Sequence, residues 1–227
     1  MKKITLQEVQ AEMTQKASMK QSLYIQTLGY FNRMQEITRK LSSQLTESFK
    51  SSNPPIPVKF EVEGELEFRL RFSGDLLVFQ MHSNIMALPE DHPVMRHPHL
   101  IEFPENAYFG QILIYNFMAD SFRYLRMQDM GHLVARIWIH KDALYWVEGV
   151  RPLNFLQPGL SETPLNDESL EQIVLQCVYV SSQTDFMASP FYLIQQLTVE
   201  EKISRNENRA GDKLGFQMQS KGNDTKS

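Results

Sequence analysis

Three histidines fall within ten residues of sequence, in the stretch "DHPVMRHPHL" at positions 91–100: His92, His97 and His99. Imidazole nitrogens with carboxylate oxygens form the donor set that holds zinc, iron or manganese. Asp91 and Glu102 supply carboxylates close in sequence. His97 and His99 are two apart, so an extended backbone would point both to one side. The spacings that make a metal assignment specific are absent, with no HExxH helix pair and no CxxC knuckle. Pro93 and Pro98 stiffen the segment, and a connector or contact loop is its plainer reading. No cofactor is expected; if a metal binds, His92, His97 and His99 are the candidates. A nineteen-residue loop over 89–107 is still long for a compact domain, and loops of that length often carry function.

Other residues invite chemistry with weaker support. His82 sits on a predicted strand, where Glu67 opposite would orient it as a general base; the same pair also suits a solvated sheet face. Glu61, Glu63, Glu65 and Glu67 form a row that could meet a cation or a basic helix, and that reads more simply as a wet strand face. Cys177 shares a helix face with Ile173, Val174 and Val180, the setting of a packed thiol rather than a nucleophile. In "IYNFMADSFRYLR", Asp120 and Arg123 would pair if the segment is helical, whereas Asp120 on a central strand would be buried and need a partner. No GxSxG elbow, GxxxxGK[ST] loop or GxGxxG fingerprint occurs, which argues against a standard nucleotide enzyme.

The elements that would position these groups follow from periodicity. Thr5 and Glu8 form a capping box, and no proline interrupts the chain before Pro54. Tyr30, Met34, Ile37, Leu41, Leu45 and Phe49 recur every three or four residues and draw one apolar stripe, which Leu6, Val9 and Met13 begin upstream. One helix, or two in succession, is predicted over residues 1–51, with Gly29 as the weak point. Such a rod is longer than a compact domain is wide, so it must bend back, break or find a partner. "SSNPPIP" ends it. From Val58 to Phe72 apolar residues hold the even positions and charged ones the odd, the alternation of a half-buried strand. Gly64 takes an apolar slot and is read as a kink within that strand. After "SGD", Leu77, Phe79, Met81, Ile85 and Ala87 continue the buried face. Setting Phe72 opposite Leu77 places His82 across from Glu67, Gln80 from Arg69 and Asn84 from Glu65.

A strand near 108–116 comes next, followed by a segment over 117–127 that is helix or strand. "HLVARIWIH" and "ALYWVEGV" form a hairpin around Lys141-Asp142. Asn166 caps a helix, and a shorter one starts at Ser189-Pro190. The fold class is therefore α+β: a long N-terminal helix, an antiparallel sheet of about five strands in two hairpins plus a central strand, and C-terminal helices. The organisation expected is helix over 1–51, α+β domain over 52–201 and disordered tail over 202–227.

Among the 227 residues, 42% are hydrophobic and 22% charged, values of an ordinary globular chain. The net charge of −4 divides unevenly. Residues 1–50 carry eight Lys/Arg against four Asp/Glu, and the remainder fifteen against twenty-three. An acidic body offers no general field for nucleic acid. One cysteine excludes an intramolecular disulfide, which suits a reducing compartment. "MKKITLQEVQAEM" lacks the apolar region of a secretory signal, and no apolar run approaches the ~20 residues of a membrane span. A soluble, cytoplasmic protein without membrane or nucleic-acid partners is expected.

"IYNFMADSFRY", "GHLVARIWIH" and "YWVEG", within residues 58–155, resemble an uncharacterised family of bacterial cytoplasmic proteins, and the resemblance implies no activity. The element order is also similar in layout to secretion-chaperone-like α+β folds, in which a helix, strands and a further helix build a dimerising module; layout does not establish function. The favoured expectation is a non-enzymatic interaction or scaffold protein, forming a homodimer or binding another protein through Tyr30, Met34, Ile37, Leu41, Leu45 and Phe49, with no catalytic residue assigned. The alternative is a metal- or histidine-dependent hydrolase using His82 and the 91–102 loop.

Overall fold

A computed structural model of the chain describes residues 3–101, 107–127, 129–151, 153–186, 190–196, 198–200 and 202–203. Helix α1 runs unbroken over Leu6–Ser48, 43 residues and so about 65 Å. The capping box forms: the Glu8 amide donates to Thr5 Oγ1 at 3.3 Å, and the Thr5 amide to Glu8 Oε2 at 2.9 Å. Gly29 lies inside the helix without breaking it.

Strands β1 (Val58–Val62), β2 (Glu67–Phe72), β3 (Asp75–Met81), β4 (Met86–Ala87), β5 (Tyr108–Met118), β6 (His132–His140) and β7 (Tyr145–Gly149) form one antiparallel sheet. Its order is β1-β2-β3-β5-β6-β7, with β4 also on β5. Helices α2 (Pro98–Ile101), α3 (Ala119–Arg123), α4 (Asp167–Gln183) and α5 (Phe191–Ile194) complete the fold. The protein is thus α+β, and α3 settles the ambiguous segment as a strand to Met118 followed by one short helix. The tail expected over 202–227 lies, apart from Lys202 and Ile203, outside the described residues.

Three expectations about the strands need correction. Residues 58–72 are two strands, not one kinked at Gly64: Val62 pairs with Phe68 and Val58 with Phe72. Five residues separate Val62 from Phe68, so even positions face even positions and the apolar face survives the turn. Gly64 serves that turn with a φ of 82°, a region open to glycine. Second, β2 and β3 pair two residues out of the predicted register. Phe72 faces Asp75 across the tight turn Ser73-Gly74, which sets Phe68 against Phe79 and Glu67 against Gln80. Parity is unchanged, so sequence alternation could not separate the two registers. Third, β3 stops at Met81, and the same edge of β5 is resumed by Met86–Ala87.

Phe68, Leu70, Leu77, Phe79, Ile112, Ile137 and Val147 present the apolar face of the sheet. Helix α1 crosses it with Leu23, Phe31 and Met34, each 0–1% exposed, and α4 lies alongside through Leu170, Ile173, Val174 and Cys177. Burial of large side chains, at ~1.5–3 kcal/mol each, holds the layers together. Polar residues on the contact stripe are small and satisfied within the helix: Thr27 and Thr38 donate to the carbonyls of Leu23 and Met34. Gly110 allows α1 its close approach to β5, since a Cβ there would fall 1.9 Å from Thr27 Oγ1.

The other sheet face is covered in part. Trp138 and Trp146 are register partners whose rings stack at 5.4 Å, and Phe109 meets Trp146 edge-on at 4.8 Å. Over these rings lie Val94 and Leu100, flanked by Leu88 and Met95. The proline-marked loop therefore roofs a second, smaller core.

Candidate functional site

The roof begins with a repeated local device. His92 caps a short 3₁₀ turn over Pro93–Arg96, its Nδ1 accepting from the Val94 amide at 3.3 Å. His97 stands before Pro98 of α2, its Nδ1 accepting from the His99 amide at 3.3 Å. In each His-Pro pair the imidazole accepts the amide two residues on, while proline occupies the first helical position, where no amide is needed. His82 and His140 do the same with the amides of Asn84 (3.0 Å) and Asp142 (3.2 Å). A neutral imidazole that accepts through Nδ1 carries its proton on Nε2.

His92 and His99 turn toward the β6–β7 hairpin. His99 Nε2 lies 2.8 Å from Asp142 Oδ2, across 43 residues of sequence. His140, the last residue of β6, is fully buried, with its Nδ1 3.4 Å from the same Asp142 oxygen and its ring 5.2 Å from the His99 ring. His99, His140 and Asp142 each offer one ligand atom, all within 4.8 Å of one another. At the other end of the roof, His92 Nε2 lies 3.5 Å from Glu148 Oε1. Glu148 accepts from Arg136 Nε at 2.6 Å and from Trp138 Nε1 at 3.0 Å. Burial raises the Glu148 carboxyl, but the hydrogen bonds from Trp138 and Arg136, the Arg136 charge and a Trp146 hydrogen bond together bring it below its ordinary value.

Of the predicted metal candidates, His99 joins a cluster, while His92 and His97 act as caps and His92 also faces Glu148. Glu102 lies outside the described residues. His140, Asp142 and Glu148 were not anticipated. The only trace in sequence is "HKD" at the hairpin tip, which has no reason to be associated with His99 until the loop folds back over the tryptophans.

His82 is not set against Glu67. It falls in the break between β3 and β4, and Glu67 instead binds Arg69, at 2.7 Å to Nε and 2.6 Å to Nη2. Three members of the glutamate row are answered by neighbouring cations, Glu63 and Glu67 by Arg69 and Glu61 by Lys59, while α1 lies on the opposite, apolar face.

A second polar region opens at the β2–β3 turn, beside the C-terminus of α4. Arg71, Asp75, Asp120, Arg126 and Asp185 line a cleft of about 360 Å³. Asp120 lies 3.9 Å from Arg71 and 4.0 Å from Arg126. Asp75 accepts from Asn116 Nδ2 at 2.8 Å. Burial raises the Asp75 carboxyl; the Asn116 hydrogen bond offsets part of this, the Asp185 charge adds to it, and the result stays above the ordinary value. Burial alone pushes the Cys177 thiol well up, as a packed, unreactive sulfur requires.

The α1 stripe is divided along its length. Met34 is buried in the chain's own core, and Tyr30, Ile37 and Leu41 pack half-buried against it; Leu45 and Phe49 are half-buried. The first turns differ: Leu6, Val9 and Met13 are 73%, 41% and 62% exposed. Lys16 and Lys20 lie over the ring of Tyr108, at the first residue of β5, which marks where the helix leaves the sheet. Among the described residues no helix is long and apolar enough to cross a membrane. No family model, curated protein or solved structure matches the chain.

Proposed function

We propose that the protein is a non-enzymatic interaction module, adaptor- or chaperone-like, that self-associates through the N-terminal overhang of α1. The observation that supports this reading is the exposure of Leu6, Val9 and Met13. At 3.6 residues per turn they continue the line that buries Leu23, Thr27, Phe31 and Met34 further along. Tyr30, Met34, Ile37 and Leu41 serve the chain's own core, so a partner meets the part of that face that runs past it.

A second copy of the chain suits this face. Spacings of three and four residues are those with which two like helices interlock, and a two-fold pairing presents each overhang with its own complement. The overhang carries both signs of charge, Lys3 against Glu8 and Glu12, with Lys16 and Lys20 beyond it. The overhang is already nucleated by the packed part of α1 and capped by Thr5, which removes much of the cost of ordering a short isolated helix. The patch is small beside the ~1,200–2,000 Å² of standard stable interfaces, so the proposed association depends on concentration.

Light scattering across a concentration series tests the reading. Wild-type mass is expected to rise toward a dimer with concentration, and the Leu6→Asp/Met13→Asp variant to remain monomeric with unchanged circular dichroism. A wild type that is monomeric throughout, or a variant that associates equally well, would refute it.

A further inference from the structure

We infer that His99, His140 and Asp142 form a binding site for one divalent transition-metal ion, of which zinc is the type, joining the roof loop to the β6–β7 hairpin. The inference is independent of self-association. It rests on one ligand atom from each of His99, His140 and Asp142 lying within 4.8 Å of one another. An ion at ~2.0–2.2 Å from nitrogen and oxygen ligands in tetrahedral geometry spaces those atoms roughly 3.3–3.6 Å apart. The His140–Asp142 separation is 3.4 Å and the His99–Asp142 separation 2.8 Å, so small side-chain adjustments suffice.

The chemistry of the donors points the same way. His140 Nδ1 accepts from the Asp142 amide and lies 3.4 Å from the Asp142 carboxylate oxygen; an ion bound there takes that nitrogen's single lone pair in place of the amide. Two imidazoles and one carboxylate are a borderline donor set, suited to zinc over calcium or magnesium. Three protein ligands leave a fourth position for water. The ligands also come from rigid places: His140 is fully buried at a strand end, Asp142 sits in a turn closed by the Ala143 amide on the His140 carbonyl at 2.9 Å, and His99 lies on α2. Binding would tie α2 to the hairpin and so stabilise the roof over Trp138 and Trp146.

Calorimetric titration of the chelator-stripped full chain with zinc chloride, paired with thermal melts, tests this. One ion per chain is expected to bind and to raise the melting temperature. His99→Ala and Asp142→Asn should each weaken binding by more than the about 10–100-fold that follows loss of an outer-shell partner, while His97→Ala should bind as wild type does. His140→Ala is avoided because that residue is buried. Absence of wild-type binding, affinity unchanged in His99→Ala and Asp142→Asn, or equal loss in His97→Ala would each overturn the assignment.

Discussion

At the scale of single residues, the histidines show how one side chain can carry a structural task in sequence and a chemical one in space. The His-Pro pairs at 92–93 and 97–98 are legible as capping signals once the imidazole is counted among side chains that accept a backbone amide. The contact of His99 with Asp142, by contrast, depends on a fold-back that no local spacing encodes. Two carboxyls of the same sheet make opposite predictions with pH. Glu148 has a folded value below the ordinary 4.5, so it contributes stability above that value and loses it as pH falls through it. Asp75 has a folded value above the ordinary 3.8, so its burial costs stability at neutral pH and the cost disappears in acid. Thermal melts from neutral pH downward should find Glu148→Gln less stable than wild type at pH 7, with the gap closing below about 4.5. Asp75→Asn should be more stable than wild type at pH 7, with its advantage fading in acid. A gap that is constant with pH would show that these charges are not the cause.

At the scale of elements, parity was readable and register was not. Alternation in 58–72 and 77–81 identified which side chains enter the core, and Phe68, Leu70, Leu77 and Phe79 are all buried. It could not say whether Gly64 kinks one strand or turns between two, because a connection that keeps even facing even leaves the same pattern. Nor could it place Phe72 opposite Asp75 rather than Leu77, since both keep the apolar face intact. The fit of α1 on β5 was invisible for a different reason: it depends on Gly110 having no side chain where Thr27 comes down. Gly110→Ala is expected to destabilise by ~1–3 kcal/mol, the usual range for overpacking, and Thr27→Ala in the same chain to recover part of that loss. Chemical denaturation of the two variants would measure both. A neutral Gly110→Ala would mean that the helix can stand further from the sheet.

At the scale of the whole molecule, the sheet divides its two faces between different kinds of cover. One face receives α1 and α4, built from periodic apolar stripes that the sequence displays openly. The other receives a loop whose Val94 and Leu100 are scattered among prolines and histidines, which is why it reads as a connector. Helix α1 is longer than the sheet it covers, and its first turns carry the core-facing stripe into solvent with a complete cap at the tip. That surplus length is the feature on which the proposed self-association rests. Because Cys177 is fully buried, a cysteine introduced on the surface reacts alone, so mild oxidation of Val9→Cys reads out pairing of the overhangs directly. The account predicts a covalent dimer from Val9→Cys at concentrations where the protein associates, and none from Ser43→Cys on the exposed distal part of the same helix. Val9→Cys remaining monomeric, or both variants cross-linking alike, would contradict it.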